Sequence, residues 1–125
     1  MDAFLLPLFA SDLARDVRSE YDQTRGYGLG VAEATSAVLA SFGALLNRPD
    51  EGPVIIIVLA ALQLRDHALH ASFREAALGL LHAGHGFASH PGEPSTTRHQ
   101  RDALRLALIA ALETAPVVTD GPGNE

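Results

Sequence analysis

The segment DEGPVIIIVLAALQLRD, residues 50–66, is the most apolar part of this chain and constrains the interpretation of the sequence around it. Residues 54–58 are β-branched throughout, and periodicity does not separate a buried strand from a buried helix in such a run. The apolar character continues to Leu64, which is long for a strand, and Pro53 behind two acidic residues suits the first turn of a helix. We therefore predict a central helix over residues 54–64 that is apolar on every side.

The same segment argues against a membrane span. Its apolar run, residues 53–62, is about half as long as a bilayer-spanning helix and leads directly into Arg65 and Asp66. Residues 1–10 are apolar too, but they lack the basic region and the cleavage site of a secretory signal, so we expect them to belong to the mature protein. The chain has no cysteine, which excludes disulfides, thiolate metal sites and cysteine nucleophiles. We therefore expect a cytoplasmic protein.

Amphipathic periodicity predicts four more helices around the central one. Ser11 is a favourable N-cap, and apolar residues follow it at intervals of four from Leu13 to Tyr21. Gly84 follows the last apolar residues of another periodic segment, where glycine commonly ends a helix. The five predicted helices cover residues 12–23, 32–46, 54–64, 71–82 and 97–114.

Clusters of proline, glycine and polar residues mark the connections between these helices. Residues 47–52 predict a turn, and residues 87–97 predict a mobile loop. At 125 residues the chain has the length of one domain, and 47% hydrophobic residues are enough for one core. The predicted fold class is all-α: a single helical domain over residues 1–115, built as a compact bundle of about five helices with the apolar helix at its centre. Residues 116–125 are expected to form a flexible C-terminal tail.

The last predicted helix carries more apolar surface than one packed face uses. One face carries Leu104, Leu108 and Leu112. Leu106 and Ile109 lie on other faces of the helix. This surplus indicates either deep burial or a subunit interface. We expect a homodimer that uses Leu106 and Ile109.

A pattern of polar and apolar residues extends from residue 9 to residue 81. It comprises Phe9, Asp12, Ala14, Asp16, Val17, Arg18 and Tyr21, then Glu33-Ala34-Thr35, then Asp50-Glu51-Gly52-Pro53-Val54, and Gln63. The pattern resembles that of a family of small bacterial proteins of unknown function, in the same order and at similar spacing. The resemblance implies an all-helical fold with a helix–turn–helix over residues 53–82, and it implies no activity.

Several positions depart from the pattern of that family. The family usually opens with a tryptophan and paired glycines where this chain has Leu5-Leu6-Pro7-Leu8, and it places tryptophans where Ile56 and Leu64 stand. The turn after the third helix usually carries glycine where His67 stands and aspartate where His70 stands. We expect His67 just past the end of that helix, where the backbone often turns left-handed.

Six histidines raise the question of a metal site. His67 and His70 are three residues apart. His82 and His85 repeat this spacing, and imidazoles one helical turn apart can share a zinc, copper or iron ion. Neither pair lies securely inside a predicted helix, and no carboxylate completes a His-Glu-x-x-His motif. We therefore expect solvated or capping histidines and no cofactor, with a metal-binding protein or enzyme that uses these four side chains as the alternative.

Asp12, Asp16 and Glu20 form a carboxylate stripe along one face of the first predicted helix. Like charges four residues apart are mildly unfavourable in a helix, so the stripe suggests a functional reason. Such carboxylates can serve as a general acid and base, bind a hard cation, form internal ion pairs or face a partner. We expect them to face a partner.

Arginines are expected to balance part of this acidity. Asp22 is placed to pair with Arg18 or Arg25 along the first helix. A basic stripe on the last helix, which we expect to face the acidic first helix, comprises Arg98, Arg101 and Arg105.

Motifs for catalysis are not recognised in the sequence. The glycines at 26, 28 and 30 follow a helix and lack the lysine of a phosphate-binding loop, and no Gly-x-Ser-x-Gly elbow occurs. With a net charge of −6, little counterion release favours nucleic acid. We therefore predict no catalytic residue, no nucleic-acid or membrane partner, and a non-catalytic protein-binding domain. We expect an inhibitor of the immunity-protein or antitoxin kind that contacts a basic protein through Asp12, Asp16 and Glu20.

Overall fold

Helices make up most of the structure. The computed structural model of the chain describes residues 11–85 and 95–118. The helices in these ranges are α1 Asp12–Gly26, α2 Val31–Ser41, α3 Gly43–Leu46, α4 Gly52–Arg65, α5 Ala71–His82 and α6 Ser95–Thr114. The strands in these ranges are β1 Leu69–His70 and β2 Val117–Val118. The all-α prediction is confirmed, since the strands contribute only this short pair.

The apolar helix α4 lies at the centre of the bundle, as the sequence predicts. Every residue from Ile57 to Gln63 is buried, and both α1 and α5 pack against this helix. Burial on all sides outweighs the weak helix preference of the β-branched residues. A tight contact fixes the start of α4, because a Cβ on Gly52 would lie 2.3 Å from the carbonyl oxygen of Leu46 in α3. Glycine is therefore required at this position.

The helix predicted over residues 32–46 is in fact two helices, so that prediction is wrong at Phe42. The Phe42 N–H donates to the Val38 carbonyl at the end of α2, and the Phe42 carbonyl accepts from the Leu45 N–H at the start of α3. Gly43 follows the break, and glycine is a weak helix former. The change of direction brings the backbone of α3 against the first residue of α4.

Two helices end with the same backbone geometry. After α4, the His67 N–H donates to the Leu64 carbonyl over 3.1 Å and the Ala68 N–H donates to the Gln63 carbonyl over 2.9 Å. After α5, Gly84 takes the corresponding position with a φ of 95°, and His67 has a φ of 59°. This arrangement satisfies the last carbonyls of a helix and needs a left-handed residue, which glycine adopts without strain. The left-handed backbone expected at His67 is confirmed.

A short parallel strand pair joins two distant parts of the chain. Leu69 lies opposite Val117, and His70 lies opposite Val118. Val117 and Val118 belong to the segment predicted to be a flexible tail, and residues 119–125 lie outside the described residues. Strands of two residues are too short to give an alternating pattern, so the sequence did not reveal them.

The boundary of α6 also differs from its prediction. Of the loop predicted over residues 87–97, residues 87–94 lie outside the described part of the chain, and residues 95–97 are helical. Serine and threonine are frequent at helix starts as well as in loops, so composition did not separate the two. Among the described helices, none has both the length and the apolar character needed to cross a membrane.

Candidate functional site

The outer face of α1 carries two of the three predicted contact carboxylates. Asp12 has 91% of its side chain exposed and forms an ion pair with Arg15, one turn along the helix. Asp16 is exposed, and its carboxylate has no hydrogen bond or ion pair with any residue in 11–85 or 95–118. An exposed pair such as Asp12–Arg15 contributes little to stability, because water and salt screen it. Both carboxylates are therefore available to another molecule.

Glu20, the third predicted contact residue, lies at the edge of this face. Its Oε2 accepts a hydrogen bond from the Ser41 Oγ across 3.2 Å, and the side chain is half-buried. Glu20 therefore helps to join α1 to α2. The structure brings Asp12 and Asp16 to one open surface and leaves Glu20 beside it.

The opposite side of α1 is firmly packed. Ala14, Val17 and Tyr21 are fully buried against the core. The Ser11 Oγ accepts a hydrogen bond of 3.1 Å from the Ala14 N–H, so the predicted N-cap is confirmed. Because one side is locked into the core, the outer face of α1 has a fixed orientation.

A network of polar side chains fastens the second half of α1 to the end of α4. The Asp66 Oδ2 accepts a hydrogen bond from the Tyr21 hydroxyl over 2.9 Å, and its Oδ1 accepts one from the Arg65 Nε over 2.9 Å. The Arg25 Nε lies 3.3 Å from the same Oδ2. Arg25 thus pairs with Asp66 and not with Asp22, which was one of its expected partners. This partner was not predicted, because a contact between residues far apart in sequence leaves no local pattern.

Asp22 extends the network along α1. Its Oδ1 lies 2.7 Å from the Arg65 Nη2, and its Oδ2 lies 3.5 Å from the Arg18 Nε. The predicted pair of Asp22 with Arg18 is confirmed. The Arg65 guanidinium also lies 5.8 Å from the centroid of the Tyr21 ring, within the range of a cation–π contact.

The environment of the network makes Asp66 and Tyr21 poorly suited to acid–base catalysis at neutral pH. Burial opposes ionisation of Asp66, but hydrogen bonds from Arg65 and Tyr21 outweigh it and hold the pKa of Asp66 below its usual value. Burial, with the hydrogen bond to Asp66, raises the pKa of Tyr21. Asp66 therefore stays charged and Tyr21 stays neutral, whereas a general acid or base works best with a pKa near the working pH. The network is suited to fastening helices.

A second buried contact also joins helices. Gln63 is fully buried, and its Nε2 donates to the Thr35 Oγ1 over 3.0 Å. Its Oε1 accepts a hydrogen bond of 3.0 Å from the His70 N–H. A buried amide with both ends paired is well tolerated in a core. Tyr21, Thr35 and Gln63 all belong to the pattern that carries the family resemblance, and in the structure each makes a contact between helices.

The four histidines of the metal hypothesis lie at helix ends. His67 is exposed after α4, and His70 is the N-cap residue of α5 without a capping bond from its side chain. His82 is the last residue of α5, and both His82 and His85 are exposed. In the part of the chain that the structure describes, no group of three or more His, Cys, Asp or Glu side chains is arranged to hold a metal ion.

Two expectations for α6 fail at one residue each. Arg105 donates a hydrogen bond of 3.2 Å to the Leu81 carbonyl and lies 3.6 Å from Asp102, so it contacts α5 and its own helix and not α1. Ile109 is only 6% exposed and belongs to the core, so it is not available to a subunit interface. Leu106, in contrast, is 58% exposed. The helical pattern did not show that Ile109 is buried and Leu106 exposed, because periodicity does not tell which faces of a helix are covered by neighbouring helices.

An open pocket of about 120 Å³ lies beside the strand pair. Its lining consists of Leu64, His67, Leu69, Ala115, Pro116, Val117 and Val118. The lining is apolar apart from one imidazole. It contributes no carboxylate that would support catalysis with that imidazole.

The outer face of α1 differs from this pocket in combining exposed carboxylates with a fixed backbone. It is also the surface that the charge pattern of the sequence singled out. No family model, curated protein or solved structure matches the chain. Its function is therefore inferred from this surface.

Proposed function

We propose that this protein is a non-catalytic protein-binding domain whose α1 outer face docks on a basic protein, as an inhibitor of the immunity-protein or antitoxin kind does. The observation that supports the proposal most is Asp16. Its carboxylate is exposed and has no partner in the described residues, on a helix whose other side is fully buried. An unpaired charge on a rigid helix is suited to binding an opposite charge, because no internal contact must break and the backbone loses little entropy.

Most of the described arginines are already paired with carboxylates of the same chain. In residues 11–85 and 95–118, ion pairs with acidic side chains of the same chain are formed by Arg15, Arg18, Arg25, Arg65, Arg74 and Arg105. Each of these pairs also neutralises a carboxylate, so the net charge of −6 comes from carboxylates outside the pairs, Asp16 among them. A surface of this sign accelerates association with a basic protein and repels an acidic one.

The test begins with a partner captured from the cells that make the protein and then purified. Its binding kinetics are measured by surface plasmon resonance at low and high salt with a variant that combines Asp12→Asn, Asp16→Asn and Glu20→Gln. We expect an association rate about tenfold lower at low salt, with a smaller difference at high salt, because screening removes long-range attraction.

A matched control removes the same amount of charge elsewhere. The variant that combines Glu75→Gln, Asp102→Asn and Glu113→Gln neutralises three exposed carboxylates on α5 and α6. We expect a much smaller loss of association rate with this control. Equal rates for the two variants would show that only the net charge matters and would contradict docking through α1.

A further inference from the structure

The turn between α1 and α2, residues 27–30, presents two apolar side chains to solvent. Tyr27 is 74% exposed and Leu29 is 44% exposed. Tyr27 is the most exposed large hydrophobic residue in the described part of the chain. Exposed tyrosines are enriched among the residues that dominate the binding energy of protein interfaces, because they combine large contact area with few rotatable bonds.

Hydrogen bonds hold Tyr27 in place. Its N–H donates to the carbonyls of Gln23 and Thr24 over 3.2 and 3.1 Å. Its hydroxyl accepts a hydrogen bond of 3.2 Å from the Gln23 Nε2. The next residue, Gly28, has a φ of 90°, a conformation that turns the chain back toward α2.

The same turn is tied to the network beneath it. The Arg25 Nη1 donates a hydrogen bond of 3.1 Å to the Leu29 carbonyl, while its Nε lies 3.3 Å from the Asp66 Oδ2. One guanidinium therefore links the tip of the turn to the end of α4. The backbone that carries the two apolar side chains is therefore fixed before binding, so a partner has less disorder to remove.

The turn is continuous with the acidic face of α1. Asp16, Gln23 and Tyr27 are spaced by seven and four residues, which places them on one side of a helix, with Asp16 about 16 Å from Tyr27 along the axis. A second carboxylate borders the turn, since the Glu33 Oε1 lies 2.7 Å from the position of a Cβ on Gly30. Within the described residues Glu33, like Asp16, has no ion pair. Glu33 thus borders the apolar tip, and Asp16 lies farther away on the same side of α1.

We propose that Tyr27 and Leu29 anchor the protein in an apolar depression of its partner that is bordered by arginine or lysine. This inference rests on the proposed function and assigns separate roles within one surface. The carboxylates of α1 increase the association rate, because attraction between charges acts at a distance. Tyr27 and Leu29 lower the dissociation rate, because apolar contacts form only after docking. Complementarity with Glu33 beside the tip, and with Asp16 farther along α1, accounts for the basic border of the depression.

The test uses a phage-displayed library of random peptides selected on the immobilised full chain. We expect the enriched peptides to combine arginine or lysine with a large apolar residue. Synthetic versions of these peptides are then measured against purified variants by surface plasmon resonance. For Tyr27→Ala we expect an affinity at least about tenfold weaker through faster dissociation, and for the control Leu106→Ala a change below about twofold. Circular dichroism of both variants checks that these exposed substitutions leave the fold intact.

The outcomes separate the anchor from the proposed function. The inference is overturned if the triple amide variant of α1 slows association of the peptides while Tyr27→Ala leaves their dissociation unchanged. The proposed function then still stands. Enrichment of peptides without arginine or lysine, or no enrichment at all, would overturn both proposals. Loss of binding in Leu106→Ala as large as in Tyr27→Ala would place the anchor on α6 and also overturn the inference.

Discussion

The side chain of Asp66 accepts a hydrogen bond of 2.9 Å from the Tyr21 hydroxyl, while its backbone N–H donates to the Leu62 carbonyl at the end of α4. One residue thus ends the central helix and binds the first helix. This contact holds Tyr21 on the inner side of α1, so the side that carries Asp12 and Asp16 faces outward. The acidic face depends on this buried contact on the opposite side of its helix.

Removing the hydroxyl of Tyr21 is expected to destabilise the fold. Tyr21→Phe keeps the buried ring and leaves the Asp66 carboxylate with one donor fewer, so we expect a loss of about 1–2 kcal/mol in the free energy of unfolding. The measurement is unfolding in urea followed by circular dichroism. Tyr27→Phe is the control, because its hydroxyl bond is exposed, and we expect a change below about 0.5 kcal/mol. Similar losses in the two variants would show that the Tyr21–Asp66 bond stabilises the fold no more than the exposed bond of Tyr27 does.

Asp66 is expected to make stability depend on acid pH. Its folded pKa is lowered, so its contribution is fully present above the unfolded pKa of about 4 and is lost as the pH falls from there toward the folded pKa. We expect Asp66→Asn to be less stable than the natural chain by about 2 kcal/mol near pH 7, with the difference shrinking as the pH falls below about 4. Urea unfolding at a series of pH values measures it. Asp16→Asn is the control, because its exposed carboxylate has no partner in the described residues, and a gap for Asp66→Asn that stays the same at every pH would refute the linkage.

The left-handed residue after α4 is expected to respond favourably to glycine. His67 has a φ of 59°, and glycine adopts this conformation without strain, so His67→Gly should stabilise the fold by up to about 1 kcal/mol. Gly84→Ala is the matched control at the corresponding position after α5. It should cost about 1 kcal/mol through backbone strain alone, because a Cβ there meets nothing within 4 Å.

A chelator separates this turn from a metal site at the same residue. We expect melting of the natural chain and of His67→Gly to be unaffected by a chelator, and elemental analysis to find no stoichiometric metal. A large, chelator-sensitive loss of stability in His67→Gly would instead identify His67 as a ligand, because metal binding stabilises the folded state.

Two glycines inside helices are expected to respond oppositely to alanine. A Cβ on Gly52 would collide with the Leu46 carbonyl, so Gly52→Ala should destabilise the fold by about 2–3 kcal/mol. A Cβ on Gly79 of α5 meets nothing within 4 Å, so Gly79→Ala should stabilise it by about 0.5–1 kcal/mol through helix propensity. Thermal melting of the two variants compares them. A neutral Gly52→Ala would mean that α3 shifts freely away from α4.

The parts of the fold that follow from local chemistry are predictable from the sequence. The bounds of α5 match their prediction, because its end depends on Gly84 nearby. The helicity of α4 follows from the length of its apolar run. The break at Phe42 and the pairing of β1 with β2 are different, since each depends on a contact with a distant part of the chain.

In the candidate site too, the features set by local sequence are predictable and those set by distant contacts are not. Exposure of Asp12 and Asp16 follows from their place opposite the apolar side of α1. The bond from Ser41 to Glu20 and the pairing of Arg25 with Asp66 depend on how helices are placed in space, which periodicity does not specify. The exposed Tyr27 lies among glycines in a turn, where no periodic signal marks it as surface or core.

The strand pair has a consequence for synthesis on the ribosome. Leu69 emerges long before Val117, so α1 to α5 have the opportunity to pack while β1 still lacks its partner. Pairing becomes available only when residue 118 has left the exit tunnel, and it then closes a loop that contains all of α5 and α6. The two residues of β2 therefore join last, after α1 to α5 have been able to pack and together with α6, which is made just before them.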